Sequence, residues 1–235
     1  MMKGGIADYK LLISVLNMKE EWKGQLRIST NYTHSVVTAL GIKEGHRVLD
    51  VGCGPGYHSA VAHVLGAEVH AIDLNKKNVE TAKKLIMHLN ELKEAKKLEL
   101  PGDPAKIQKI ILNAMKNEPP KKLPERAHIY HGDAAELDRH ISDKDEYFDV
   151  ALVIDVLHLV NMQRGPKGIM KVLKQVHKKL KPGGKLVAFN FEPGIQNYIN
   201  KILERWGYQR IGLSEHGITE HDKLALKHVW IKPKV

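Results

Sequence analysis

Val48-Leu49-Asp50-Val51-Gly52-Cys53-Gly54-Pro55-Gly56 is the stretch on which the fold turns. Arg47 to Val51 is a short apolar run carrying one acid, and three glycines follow within five residues. This predicts a strand, a tight loop from Gly52 to Gly56, and a helix from Tyr57 to Leu65. Glycines let the backbone turn sharply and let a ligand lie against bare main chain. In open α/β folds that happens beyond the carboxyl ends of the strands. A nucleotide-sized ligand is implied. The dinucleotide fingerprint G-x-G-x-x-G fails, because counting from Gly52 ends on Tyr57 and counting from Gly54 ends on Ser59. Asp50 at the strand end would also repel a pyrophosphate and attract a cation, which disfavours NAD.

Outward from this stretch the chain alternates. Glu68 to Ile72 reads as a second strand ending in Asp73, with a long helix from Lys76 to about Lys97. Strands follow at Ala127 to His131 and Tyr147 to Ile154. A helix is expected at Gly168 to Leu180, and a fifth strand at Lys185 to Phe191 after the turn Pro182-Gly183-Gly184. A helix at Ile195 to Trp206 and strand-like runs at Tyr208 to Leu213 and Leu226 to Ile231 close the chain. Such alternation requires a mostly parallel, doubly wound sheet with helices on both faces. Residues 1–45 read as an N-terminal helical lid on a domain spanning 46–235. Within that domain 98–125 reads as a helical insertion, because five of the ten prolines bracket the helix-like run Ala105 to Lys116.

The D-x-G-x-G-x-G run from Asp50, with Asp73 closing the second strand, resembles the cofactor site of class I S-adenosylmethionine-dependent methyltransferases. Further matches lie in the same order: Gly132-Asp133-Ala134, Phe148-Asp149-Val150 with Asp155 at the strand end, and Leu180-Lys181-Pro182-Gly183-Gly184-Lys185-Leu186. The resemblance implies a Rossmann-like seven-stranded sheet whose last strand is antiparallel, and S-adenosyl-L-methionine as cofactor. It implies that Gly52, Cys53, Gly54 and Gly56 hug the methionine part and that Asp50 holds the ammonium. Asp73, beside Leu74, would take both ribose hydroxyls, which suits the two acceptor oxygens of a carboxylate. Asp133 would reach the adenine amino group with Ala134 beside the ring, and Asp155 would line the same cleft. Helix capping is the plainer role for Asp73 and Asp133, yet three acids at consecutive strand ends beside a glycine loop exceed what capping needs.

Transfer from a sulfonium requires alignment and water exclusion rather than a nucleophilic residue. His158, where the family faces its substrate, is the candidate base, with packing at a strand end as its plainer role; Glu192 is a weaker candidate. Cys53 reads as a small buried filler, and no metal is assigned. Strand four lacks the Asn/Asp-Pro-Pro-Tyr/Phe motif of enzymes that methylate exocyclic amino nitrogens. Gly54 to Val61 is similar to protein-L-isoaspartate O-methyltransferases, although Leu26 and Arg27 interrupt that family's upstream motif.

The composition, 43% hydrophobic and 27% charged over 235 residues, excludes fibres, disordered tails and coiled-coil rods. The most apolar run, Val150 to Val160, is broken by Asp155 and His158, so no membrane partner is expected. A single cysteine and the absence of a secretory pattern at Met1 to Ala7 lead to a cytoplasmic expectation. Lys and Arg exceed Asp and Glu by 37 to 27. Thirteen of those bases against seven acids lie in 76–126, so +6 of the net +10 is concentrated there. A solvated helix face is the commonest meaning of such pairs, with RNA or an acidic protein as possible partners. Three functions follow. The first is methyl transfer to a small molecule, the second methyl transfer to RNA or to a protein carboxyl of the isoaspartate kind. The third is a non-catalytic nucleotide-binding module.

Overall fold

The computed structural model describes residues 36, 37, 39–94, 123–213 and 224–234. The expected lid (apart from its last residues) and all but 123–125 of the expected insertion lie outside the described residues. Seven strands form one sheet: β1 (Arg47–Val51), β2 (Glu68–Asp73), β3 (Ala127–His131), β4 (Phe148–Ile154), β5 (Leu180–Phe189), β6 (Gln209–Arg210) and β7 (Val229–Ile231). Their spatial order is β3-β2-β1-β4-β5-β7-β6, with β7 antiparallel to both neighbours and the pairs from β3 to β5 parallel. The chain winds outward from β1 in both directions. The ends of β1 and β4 therefore border a crevice at the switch point, where such sheets take their ligands.

Strand β1 is central, and four of its five residues are buried in a row, as expected of a strand covered on both faces. Helices α1 (Tyr57–Val64) and α2 (Lys76–Glu94) cover one face, packing Val61, Ala82 and Leu85 against Val48, Val69 and Val150. Helices α4 (Leu157–Lys179) and α5 (Pro193–Arg205) cover the other, placing Val172, Leu173 and Ile199 on Leu49, Ala151 and Leu186. The short helix α3 (Asp138–Ile141) and a 3-10 turn at Ala134–Glu136 follow β3. No helix among the described residues is long and apolar enough to cross a membrane.

The sheet expected from the sequence is present, with local corrections. Helix α4 starts at Leu157, eleven residues before the expected Gly168, because the helix bends at Gly165 (φ 64°) before Pro166 instead of beginning there. His158 consequently sits in a helical first turn, not on a strand edge. β5 starts at Leu180, and its register against β4 shifts between Phe148 and Val150, which absorbs the Pro182-Gly183-Gly184 turn inside the strand. It ends at Phe189, because the Asn190 amide donates to the Gln196 side chain at 2.7 Å.

Candidate active site

The loop after β1 is tied to the end of β2 by three amides. Gly52 and Cys53 donate to the Ile72 carbonyl at 2.8 and 3.1 Å, and Gly54 donates to Asp73 Oδ2 at 2.8 Å. Gly52, Gly54 and Gly56 all have positive φ. A Cβ on Gly52 would stand 2.3 Å from Val156 Cγ2 and one on Gly56 2.5 Å from Ala82 Cβ, whereas one on Gly54 would meet nothing within 4 Å. The outer glycines are thus required by packing. Gly54 instead leaves open space beside the chain, as a cradle for a ligand must.

Asp50 is buried beneath this loop and accepts from Ser59 Oγ at 2.6 Å. Burial pushes its carboxyl up to about 6; the Ser59 hydroxyl opposes this, and the charge of Asp73 adds to it. An acid held so far above its usual range gains from a cation placed beside it. Asp73 is not the cap of α2. That role belongs to Asn75, whose Oδ1 accepts from the Lys77 amide at 2.9 Å. Asp73 Oδ1 accepts from the Asn75 amide and Asn78 Nδ2, so the carboxylate is fixed at the cleft wall. Leu74 beside it is 56% exposed.

Across the cleft, Asp133 caps the 3-10 turn through the Ala135 amide at 2.8 Å and pairs with Arg164 of α4. The capping role weighed for Asp133 is present, and one of its oxygens is shared with a cation that sequence reading missed. Ala134 is half-buried in the same turn. Asp155 ends β4 with φ 52°, a left-handed conformation uncommon outside glycine, while its amide donates to the Phe189 carbonyl at 2.7 Å. Its Oδ1 lies 3.5 Å from His158 Nδ1. Cys53 is buried, and burial raises its thiol well above the usual range, so no thiolate is available there.

The profile of the methyltransferase domain family matches residues 25–230. The chain belongs to that family. It is the family that the glycine loop and strand-end acids resemble. This methyltransferase chain is 34% identical over 64 residues to a protein-L-isoaspartate O-methyltransferase from Flavobacterium johnsoniae, covering 27% of this chain and 30% of that one. The chain thus matches under a third of the length of that curated relative. Among solved structures, it is similar to one described as a putative S-adenosyl-L-methionine-dependent methyltransferase from Methanococcus maripaludis, with TM-score 0.48 and 16% identity over 100% of this chain and 98% of that one. It is also similar to one described as precorrin 8w decarboxylase from Methanobacterium thermoautotrophicum, with TM-score 0.48 and 17% identity over 75% and 71%.

Three residues of the methyltransferase site were missed by sequence reading: Ser59, Arg164 and Asn190. Asn190 is buried at the end of β5. Its Oδ1 accepts from the Glu192 amide at 3.2 Å, so its Nδ2 is the donor facing His158 Nδ1 at 3.2 Å. The lone pair of Nδ1 is thereby engaged, and the uncharged ring of His158 carries its proton on Nε2. Glu192 precedes α5 and makes no side-chain cap bond. Only Ser59 had a local signal, as a small polar residue on the first turn after a buried acid.

Proposed function

We propose that the chain transfers a methyl group from S-adenosylmethionine to a small-molecule acceptor at the carboxyl ends of β1 and β4. The observation that carries this reading is the pairing of Asp50 and Asp73 across an open glycine loop, one acid buried and short of a cation, the other fixed at the wall. In this reading Asp50 attracts the cationic amino-acid end, Asp73 takes the ribose hydroxyls, and Gly52 to Gly56 with Leu74 supply the surface between them. Asp133, Ala134 and Asp155 complete the wall on the adenine side. When bound, S-adenosylmethionine supplies a methyl group on a sulfonium, a leaving group that needs no protein nucleophile.

The residues of the chain then have to align the acceptor and keep water out. His158 suits the first task as a donor: with Nδ1 held by Asn190, its Nε2 proton can orient an acceptor oxygen. Leu159, Met162 and Phe191, all exposed where β4 and β5 end, suit an acceptor with an apolar body. The test is thermal shift with S-adenosylhomocysteine against NAD. Stabilisation by the first alone, abolished in Asp73→Ala, is expected, and no shift with either compound overturns the reading.

A second reading, methylation of an isoaspartyl carboxyl, is favoured by the 64-residue match. Methyl incorporation into an isoaspartyl peptide, absent from its aspartyl twin, would support it over the small-molecule reading.

A further inference from the structure

The outer edge of the sheet, away from the cleft, carries a second cluster. His70 of β2 and His128 of β3 are register partners, so their side chains leave the same face of the sheet, and Glu68 lies two residues before His70 on that face. One ligand atom from each of the three lies within 4.8 Å of the other two. His70 is buried; Glu68 and His128 are half-buried. We propose that Glu68, His70 and His128 form a binding site for one divalent transition-metal ion of the zinc class, which pins the edge strand β3 to β2.

Two imidazoles and a carboxylate are a donor set favoured by zinc, cobalt and nickel, and three protein ligands leave a fourth position for water. His70 Nε2 and Glu68 Oε1 are 2.8 Å apart, so the ion would replace the proton they now share. The supporting groups are also in place. Tyr130 Oη lies 3.0 Å from His70 Nδ1, which fixes the ring and leaves Nε2 for the metal. Tyr147 Oη donates to both oxygens of Glu68, at 2.8 and 3.0 Å. Ligands braced by such partners are the usual architecture of metal sites. The His70 and His128 rings stack at 4.3 Å between centroids with 28° between planes, so His128 must turn on its half-exposed edge strand to aim at the shared ion. Arg47 and Lys144 lie on the Tyr147 ring at 4.1 and 4.3 Å, and their charge weakens affinity without blocking the ligands. Three residues of strand, about 10 Å, separate His70 from Asp73, so the ion would brace the fold and take no part in the transfer.

Metal-stripped full-length protein titrated with Co2+ should develop the visible absorption of four-coordinate cobalt at one equivalent, and Zn2+ should raise its melting temperature. His128→Ala and Glu68→Gln should lose both, and Tyr130→Phe should weaken Co2+ binding about tenfold. His140→Ala should change nothing, which excludes diffuse binding by the 14 histidines of the chain. All variants should keep the wild-type circular dichroism, which confirms that they fold. Absence of the cobalt band in the wild type, or equal binding by His128→Ala, overturns the proposal. Neither result bears on the cofactor site, whose test uses a different ligand.

Discussion

The Gly54 amide donates to Asp73 Oδ2 at 2.8 Å, so the glycine loop is held open by the same carboxylate that faces the cleft. Asp73→Ala should release the loop and remove a ligand group together. A hydrogen bond to a charged group contributes about 1.5–3 kcal/mol, so S-adenosylhomocysteine affinity should fall at least tenfold. Calorimetric titration checks this, and unchanged affinity would refute the assignment of Asp73.

Two glycines of one loop should respond differently to the same methyl group. Gly56→Ala drives a Cβ into Ala82 and should cost about 1–3 kcal/mol of stability on top of its left-handed strain. Gly54→Ala meets open space and should cost only about 1 kcal/mol, while occupying the volume proposed for the ligand. Urea denaturation should rank Gly56→Ala as the less stable variant, and ligand titration should show Gly54→Ala to be impaired although folded.

Asp50 makes cofactor binding pH-dependent. The folded chain holds its proton up to about 6, against an ordinary value near 3.8. Between about pH 4 and 6 the folded state therefore binds a proton that the unfolded chain lacks. Stability contributed by this group falls as pH rises through that window, by about 3 kcal/mol for a two-unit shift. A cationic ligand favours the ionised form. Affinity for S-adenosylmethionine should accordingly weaken as pH drops below about 6, up to about tenfold per unit. In Asp50→Asn that dependence should flatten, at lower affinity throughout, in titrations from pH 5 to 8.

Lys179, fully buried at the end of α4, donates to the Ile141 carbonyl at 2.8 Å and to Asp145 Oδ1 at 2.6 Å, and pairs with Asp138 at 2.6 Å. Lys179→Met keeps the volume but leaves a carbonyl unpartnered, and should cost about 2 kcal/mol. S-adenosylhomocysteine affinity should be unchanged, since the residue braces the opposite end of the sheet from the cleft.

The parts of this fold legible in the sequence are those whose causes are local. Asp50 and the glycines announce the β1 turn because positive φ demands glycine and the acid interrupts an apolar run. Asp73 and Asp133 are legible as strand-end acids for the same reason. The first turns of α4 were hidden because Gly165 and Pro166 punctuate the sequence as a boundary, whereas the structure bends the helix there and continues. The Asp133 pair with Arg164, the Asn190 bond to His158 and the meeting of His70 with His128 join distant segments. Strand register creates them, and no spacing along the chain reveals them.

The bend at Gly165 divides the longest helix into two pieces under different constraints. Beyond it, Ile169, Val172, Leu173 and Val176 are locked into the core; before it, His158, Leu159, Met162 and Arg164 look onto the cleft. A glycine hinge followed by proline lets the cleft-side turns drift in sequence without dislodging the buried ones. Selectivity for the molecule being modified can therefore diverge among descendants of this scaffold while its foundations stay unaltered.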